Sequence, residues 1–283
     1  MRVVSFNTLA QVYSKSSWFP HTERRLMKWK ARFEALTSYL TAIDADIMAL
    51  QEVDNYAEQW EPWARDAGYA SHYVRRTQAG KEKKDGSVVA WKSDAFSLVA
   101  TRAVHFNDLA NGVETEEDKE RYVRDCIANL TLLRRTSDDT ELLVASTHIF
   151  WDPACADVKL AQARMLVEEC YKWREERITA SEGTVKAPHV ICCGDFNSMP
   201  DSDVYNVMVN DGRLRLKSVT ANNEPEFTNV TPEFTACIDY VFVSSAVVVE
   251  SVRAQPTRDS LGAGLPNAEH PSDHLPVVAD VEL

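Results

Sequence analysis

Short apolar runs recur along the chain, several alternating with polar residues in the period-two pattern of strands. They predict strands over residues 2–7, 46–52, 87–92, 127–133, 141–148, 190–195, 237–243 and 275–281. Helical periodicity is scarcer. Between residues 24 and 43, Leu26, Trp29, Phe33, Leu36, Leu40 and Ile43 recur at spacings of three and four, one face of an amphipathic helix. Residues 157–173 repeat the pattern through Val158, Ala161, Met165 and Cys170, with Asp157 placed to cap the first turn. A third helix is expected to start near Pro200 and Asp201, and a fourth over residues 55–67. The acidic stretch 114–120 reads as a solvated loop. Paired strands with helices between some of them predict two mixed β-sheets packed face to face and flanked by helices, a four-layer α/β sandwich. No repeat, Gly/Ser-rich or Pro-rich linker, or low-complexity tract interrupts this pattern, so a single domain is expected over residues 1–283.

Composition adds exclusions. Hydrophobic residues form 45% of the chain, with seven Trp, nine Tyr and ten Phe, enough for a sizeable core. No apolar run reaches the ~18 residues needed to span a bilayer. The opening MRVVSFNTLA lacks a basic segment followed by an apolar one, so no signal peptide is read. The six cysteines show neither CxxC pairs nor His-rich spacing, which points to reduced, buried thiols and a cytoplasmic protein. Adjacent Cys192 and Cys193 would face opposite sides of one strand, a poor geometry for sharing a metal. The net charge of −12 argues against holding nucleic acid by bulk positive potential. It still permits a nuclease whose bound metal and local Lys or Arg supply the positive field.

Polar residues gather at the ends of the apolar runs. Asn7 ends the first, Glu52 closes IMALQE, and His148 closes ELLVASTH. Asp195 and Asn197 close VICCGDFN, Asp239 sits inside CIDYVFV, and Asp273 and His274 precede the last. A carboxylate just past a buried strand is costly to desolvate unless something binds it, and strand ends are where open sheets present their sites. Glu52, Asp195, Asp239 and Asp273 are hard oxygen donors suited to Mg²⁺ or Mn²⁺, with no thiolate among them. Two histidines add a proton carrier and a cation for a phosphate oxygen, and the asparagines orient groups without adding charge. These are the parts for hydrolysing a phosphate ester with a metal-activated water.

The ordered series SFNTLA, ALQEVD, STHIFWDP, CCGDFNSMP, CIDYVFVS and PSDHLPV resembles the motif set of the endonuclease/exonuclease/phosphatase family, from residue 5 to residue 277. Singly, QE or SDH is weak; six in that order are specific. THIFWDPACADVKLAQ, KKDGSVVAWK, MKWKAR and FTNVTPEFTACIDYVFVS further resemble the deadenylase branch, which includes the Ccr4-type deadenylases, nocturnin and the Angel proteins.

The resemblance implies a DNase I-like sandwich and a Mg²⁺-dependent 3′-5′ exoribonuclease, with Mn²⁺ able to substitute. Single-stranded RNA, poly(A) first, would be shortened from its 3′ end to 5′-mononucleotides. It implies Glu52 as the principal metal ligand, with Asp273 contributing directly or through water and Asn7 touching metal and phosphate. Asp195 would orient or deprotonate the attacking water, Asn197 and His148 would contact phosphate oxygens, and Asp239 would orient a cationic His274. Alternatives within the family are a nocturnin-like NADP(H) 2′-phosphatase, a cyclic-phosphate phosphatase and an abasic-site DNA endonuclease. A catalytically dead binding module would lack Glu52, Asp195, Asp239 or His274, and all four are present. His21, His72, His105, His189 and His270 lack a comparable context and read as structural. Asp85 and Gly86 read either as rim or as a hairpin turn, and Phe150 and Trp151 either as base-stacking or as core. The basic run Arg24, Arg25, Lys28, Lys30 and Arg32 reads as a solvated helix face, or as a guide for a nucleic-acid backbone.

Overall fold

The computed structural model describes residues 1–76, 84–180, 186–221 and 223–283. In chain order the first elements are β1 (Arg2–Asn7), α1 (Trp29–Ile43), β2 (Ile47–Asp54), α2 (Glu61–Asp66), β3 (Tyr69–Arg75), β4 (Asp85–Lys92) and β5 (Phe96–His105). Next come α3 (Glu116–Tyr122), β6 (Ile127–Arg135), β7 (Glu141–His148), α4 (Ala156–Ala180), β8 (His189–Asp195) and α5 (Asp203–Asn210). The chain closes with β9 (Leu216–Ser218), β10 (Asn229–Val230), β11 (Thr235–Ala236), β12 (Asp239–Ser244), β13 (Val248–Val252) and β14 (Val277–Glu282).

Two six-stranded sheets result, ordered β13-β14-β1-β2-β4-β3 and β5-β6-β7-β8-β12-β9, with β10 and β11 a separate short pair. Each six-stranded sheet has one parallel pair at its centre, β1–β2 and β7–β8, joined through α1 and α4 respectively. Parallel neighbours need such a crossover. The other pairings are antiparallel.

Strand alternation builds three cores between four layers. Val3, Ile47, Ala49, Val89 and Trp91 meet Leu142, Val144, Ile191, Cys193 and Val241 between the sheets. The alternate residues Val4, Phe6, Met48, Leu50 and Val88 pack on Leu36, Leu40 and Ile43 of α1. Leu130, Leu143, Val190, Cys192 and Phe242 pack on Leu166, Val167 and Cys170 of α4. Cys192 and Cys193 thus face opposite sides of β8, and all six cysteines are free and buried. The four-layer sandwich matches the sequence reading. Among the described residues no helix is long and apolar enough to cross a membrane.

Several local expectations need correction. The first helix starts at Trp29 rather than residue 24, because Lys28 is extended and Met27 packs with Leu9 and Phe19. Tertiary contacts override helix propensity there. Arg32 is not on a solvated face: it is 1% exposed and donates to the carbonyls of Thr8, Leu9 and Pro271. Residues 116–122 form α3, not a loop. Thr115 caps it by accepting from Asp118 N at 3.1 Å, and Glu116, Glu117 and Asp118 favour the positive end of the helix. Asp157 does not cap α4, since Ala156 is already helical; it pairs with Arg121 at 2.6 Å. Ala161 and Met165 are only partly covered, and the buried stripe runs through Ala163, Leu166 and Val167 instead. The third helix starts two residues late, at Asp203, capped by Ser202. Residues 55–67 divide into a π-type turn, Tyr56–Trp60, and α2. Strands β3, β5 and β13 escaped prediction because half-covered positions in β3 and exposed ones in β5 and β13 break the apolar alternation.

Candidate active site

The carboxyl ends of the two central parallel pairs converge. Asn7 ends β1, Glu52 lies near the end of β2, and His148 and Asp195, paired in register, end β7 and β8. The antiparallel neighbours begin at this same end. Asp239 starts β12 rather than lying inside it, and pairs in register with Asp195. His274 precedes β14, held by a bridge to Asn229.

Local backbone departures aim the side chains. A bulge between Leu50 and Val53 holds Glu52 at φ 55°, which takes it out of the regular alternation of β2. Asn197 sits at φ 46° in the turn after β8. Left-handed non-glycine residues cost about 1–2 kcal/mol each and concentrate at functional sites. Below the site the inter-sheet layer turns polar, where Ser146 accepts from Gln51 Nε2 at 3.0 Å and bonds Ser87 at 2.6 Å.

Asn7 Nδ2 bridges two carboxylates, donating to Glu52 Oε1 and Asp195 Oδ2, each at 3.0 Å. Glu52 Oε2 also accepts from Ala10 N at 2.9 Å, and Asp195 Oδ1 from Asn197 N at 2.9 Å. His274 Nδ1 contacts Asp239 Oδ2 at 2.8 Å, and the same oxygen takes Thr228 Oγ1 at 2.6 Å. The other His274 nitrogen, Nε2, lies 3.6 Å from Asp195 Oδ2, and His148 Nε2 lies 3.5 Å from it. Asn197 is held by side chain and main chain: Nδ2 donates to Ile149 O and its main-chain carbonyl accepts from Lys159 Nζ, each at 2.9 Å.

Burial and crowding set the charges. Glu52 is pushed up to about 7 by burial first, then by Asp273 and Asp85, with the Asn7 and Ala10 donors offsetting in part. Asp195 also rises to about 7, through burial and then Asp239, against the pull of His274. The two imidazoles diverge. Burial alone would depress His274, but Asp239, Asp195 and Asp273 outweigh it and raise it well above the usual range. His148 is held well below that range by burial, then by Arg76 and His274. Titratable neighbours pushed apart in this way mark acid and base roles.

The predicted site residues are brought together. Glu52, His148, Asp195, Asn197, Asp273 and His274 line one cavity of about 560 Å³, and Asn7 and Asp239 stand behind them. None of the five histidines read as structural lines it. Asp85 begins β4 and is not part of a hairpin turn: it is buried, accepts from Tyr13 Oη at 3.1 Å and pairs with Arg76 at 3.6 Å. Gly86 is required because a Cβ there would overlap the Val74 carbonyl and the Tyr73 ring. Lys83 of the KKDG stretch lies outside the described residues. Trp151 is 64% exposed at the rim rather than core, whereas Phe150 is partly packed on the core and also faces the cavity. Sequence reasoning missed Leu9, Tyr13, Trp18, Arg76, Arg124 and Phe234 of the lining. Leu9 and Phe234 lie within quoted stretches but are apolar there, and Tyr13, Trp18, Arg76 and Arg124 lie outside them.

Two helix-flanked mixed sheets, with acids, amides and imidazoles meeting at their strand ends, define a hydrolytic phosphoesterase. A family model described as "Endonuclease/Exonuclease/phosphatase family" matches residues 4–274, so the chain belongs to that family. It is 33% identical to "Carbon catabolite repressor protein 4 homolog 4" of Arabidopsis thaliana, covering 100% of this chain and 77% of that protein. It is also 33% identical to the "CCR4-Not complex 3'-5'-exoribonuclease subunit Ccr4" of Yarrowia lipolytica, across 98% of this chain but only 47% of that one. The fold resembles ANGEL2, a 2′,3′-cyclic phosphatase solved with adenosine-2′,3′-vanadate: TM-score 0.83, 24% identity, covering 99% and 94% of the two chains.

Proposed function

We propose that residues 1–283 act as one catalytic domain, a metal-dependent 3′-5′ exoribonuclease that shortens single-stranded RNA, poly(A) first, to 5′-mononucleotides. The carrying observation is the convergence of Glu52, Asp195, Asp239–His274 and Asn197 at one cavity, in a chain similar to proteins named as 3′-5′ exoribonucleases. Six free thiols favour a reducing, cytoplasmic setting.

The donor set fits a hard divalent cation. Burial first, then the charges of Asp273 and Asp85, raise Glu52 to about 7, and a bound cation would restore balance. The tightest group of ligand-type atoms among the described residues is Asp195, Asp239 and His274, within 4.8 Å. There, however, His274 Nδ1 and Asp239 Oδ2 already satisfy each other. We therefore assign Mg²⁺, or Mn²⁺, to Glu52, Asp273 and Asn7. When bound it supplies Lewis-acid polarisation of a phosphoryl oxygen.

The chain's own groups do the rest. Asp195 Oδ2, with a pKa near neutrality, orients the attacking water and takes its proton as the P–O3′ bond breaks, and the departing 3′ oxygen takes a proton from solvent. Cationic His274, fixed by Asp239, presents Nε2–H to the phosphate as negative charge develops. Asn197 and neutral His148 contact the remaining phosphate oxygens.

The test is parallel incubation with Mg²⁺ of 5′-labelled oligoadenylate, oligouridylate, single-stranded DNA, circular RNA, RNA ending in a 2′,3′-cyclic phosphate, and NADP⁺. A descending ladder from oligoadenylate with circular RNA intact is expected. Cleavage of the circle at a comparable rate overturns the exonuclease assignment. Phosphate release from NADP⁺, or opening of the cyclic end, without shortening moves the site to a phosphatase.

A further inference from the structure

Among the described residues, Arg76 and Arg124 are the only Lys or Arg side chains lining the catalytic cavity, and the mechanism above uses neither. Their situations differ. Arg76 is 12% exposed and committed: it pairs with Asp85 at 3.6 Å and donates to the carbonyls of Asp125 and Arg124 at 3.2 and 3.4 Å. Its charge is matched, and it braces the turn that carries Arg124.

That turn is rigid. Asp125 sits at φ 59°, and Asn107 Oδ1 accepts from the main-chain N–H groups of Arg124 and Asp125 at 3.0 and 2.8 Å. Asn107 Nδ2 closes the clamp on Asp125 Oδ1 at 2.9 Å. The Arg124 guanidinium lies over the Phe150 ring, 4.9 Å from its centroid. Yet no carboxylate among the described residues pairs with Arg124, and its Nε is buried without a hydrogen-bond partner. A buried charged donor left open is unfavourable and asks for an explanation. Stacked, held in place and unpaired, it is set to receive an anion from the cavity side.

We infer that Arg124, braced by Arg76 and stacked on Phe150, forms a second phosphate subsite that takes the phosphate 5′ of the scissile linkage. A planar guanidinium fork matches two phosphate oxygens, and a chain of net charge −12 needs a local cation to hold a second phosphate. The scissile phosphate already has His274, Asn197 and His148. Arg124 and the Phe150 ring it covers line the same cavity as His148 and His274. This rests on the proposed phosphodiesterase reading and deepens it, since the site then selects oligonucleotides over esters with one phosphate.

The test compares three substrates with wild type, Arg124→Gln and Arg124→Lys. ApA carries only the scissile phosphate, ApApA adds an internal diester, and pApA adds a terminal monoester. Arg124→Gln is expected to lower kcat/KM for ApApA and pApA about tenfold or more beyond its effect on ApA, with partial recovery in Arg124→Lys. An effect confined to ApApA or to pApA assigns the subsite to that phosphate source. Equal effects on all three substrates, or none, overturn it. If wild type hydrolyses none of them, the nuclease reading fails on its own. The subsite is then read from equilibrium binding of pApA in EDTA, where equal affinity of wild type and Arg124→Gln overturns it.

Discussion

Glu52 carries opposite demands on stability and function. Its carboxyl is raised from 4.5 to about 7 in the fold, so ionisation is disfavoured there by roughly 3 kcal/mol. The sign follows directly. The penalty is absent below about 4.5 and grows until pH passes about 7. Metal-free Glu52→Gln should therefore be more stable than wild type at pH 8, by roughly 1–3 kcal/mol, and equal to it at pH 4. Urea melts at the two pH values check this, and identical differences at both would refute it. The same variant should lose turnover, while EDTA silences wild type and Mg²⁺ or Mn²⁺ restores it. For kcat/KM, activity should rise with pH through about 7 as Asp195 loses its proton, then fall at alkaline pH as His274 loses its own. Asp195→Asn and His274→Ala should each reduce kcat by about a hundredfold or more, the scale of general acid–base effects. Near-normal turnover in either variant removes that residue's role.

At the scale of elements, the site depends on the parallel pair β7–β8, whose register sets His148 opposite Asp195. Gly194, one residue earlier, faces Thr147, and a Cβ there would overlap the Thr147 carbonyl. Gly194→Ala must push the strands apart, so a loss of roughly 2–3 kcal/mol in stability is expected, with kcat falling as well. An unchanged urea midpoint would show that the pair can yield. These strands were legible because ELLVASTH and VICCGDFN are continuous apolar runs ending in polar residues. The helix α3 was not, since seven residues of mostly charged sequence show no apolar face. Its cap at Thr115 and the Arg121–Asp157 pair stabilise it, and the second of these is a long-range contact.

For the whole molecule, a net charge of −12 with only cationic His274 and unpaired Arg124 open to phosphate among the described residues of the cavity predicts shallow salt dependence. With about two phosphates neutralised, log affinity for oligoadenylate should fall against log salt with a slope of roughly −1.4. Filter binding of metal-free protein measures it, and a slope several times steeper would mean a broad basic groove exists instead. Sequence alone determined the sandwich and its acid, amide and imidazole set, because strand periodicity and strand-end polarity are local signals. Only the tertiary structure decided how those groups are aimed and charged. The bulge at Glu52, the Asn7 bridge between Glu52 and Asp195, and the divergence of His148 from His274 all arise between segments far apart in sequence. The same holds for Arg32, buried among carbonyls, and for Arg124, left open on the cavity wall. A side chain's burial and partners belong to the packed chain, and no window of neighbouring residues contains them.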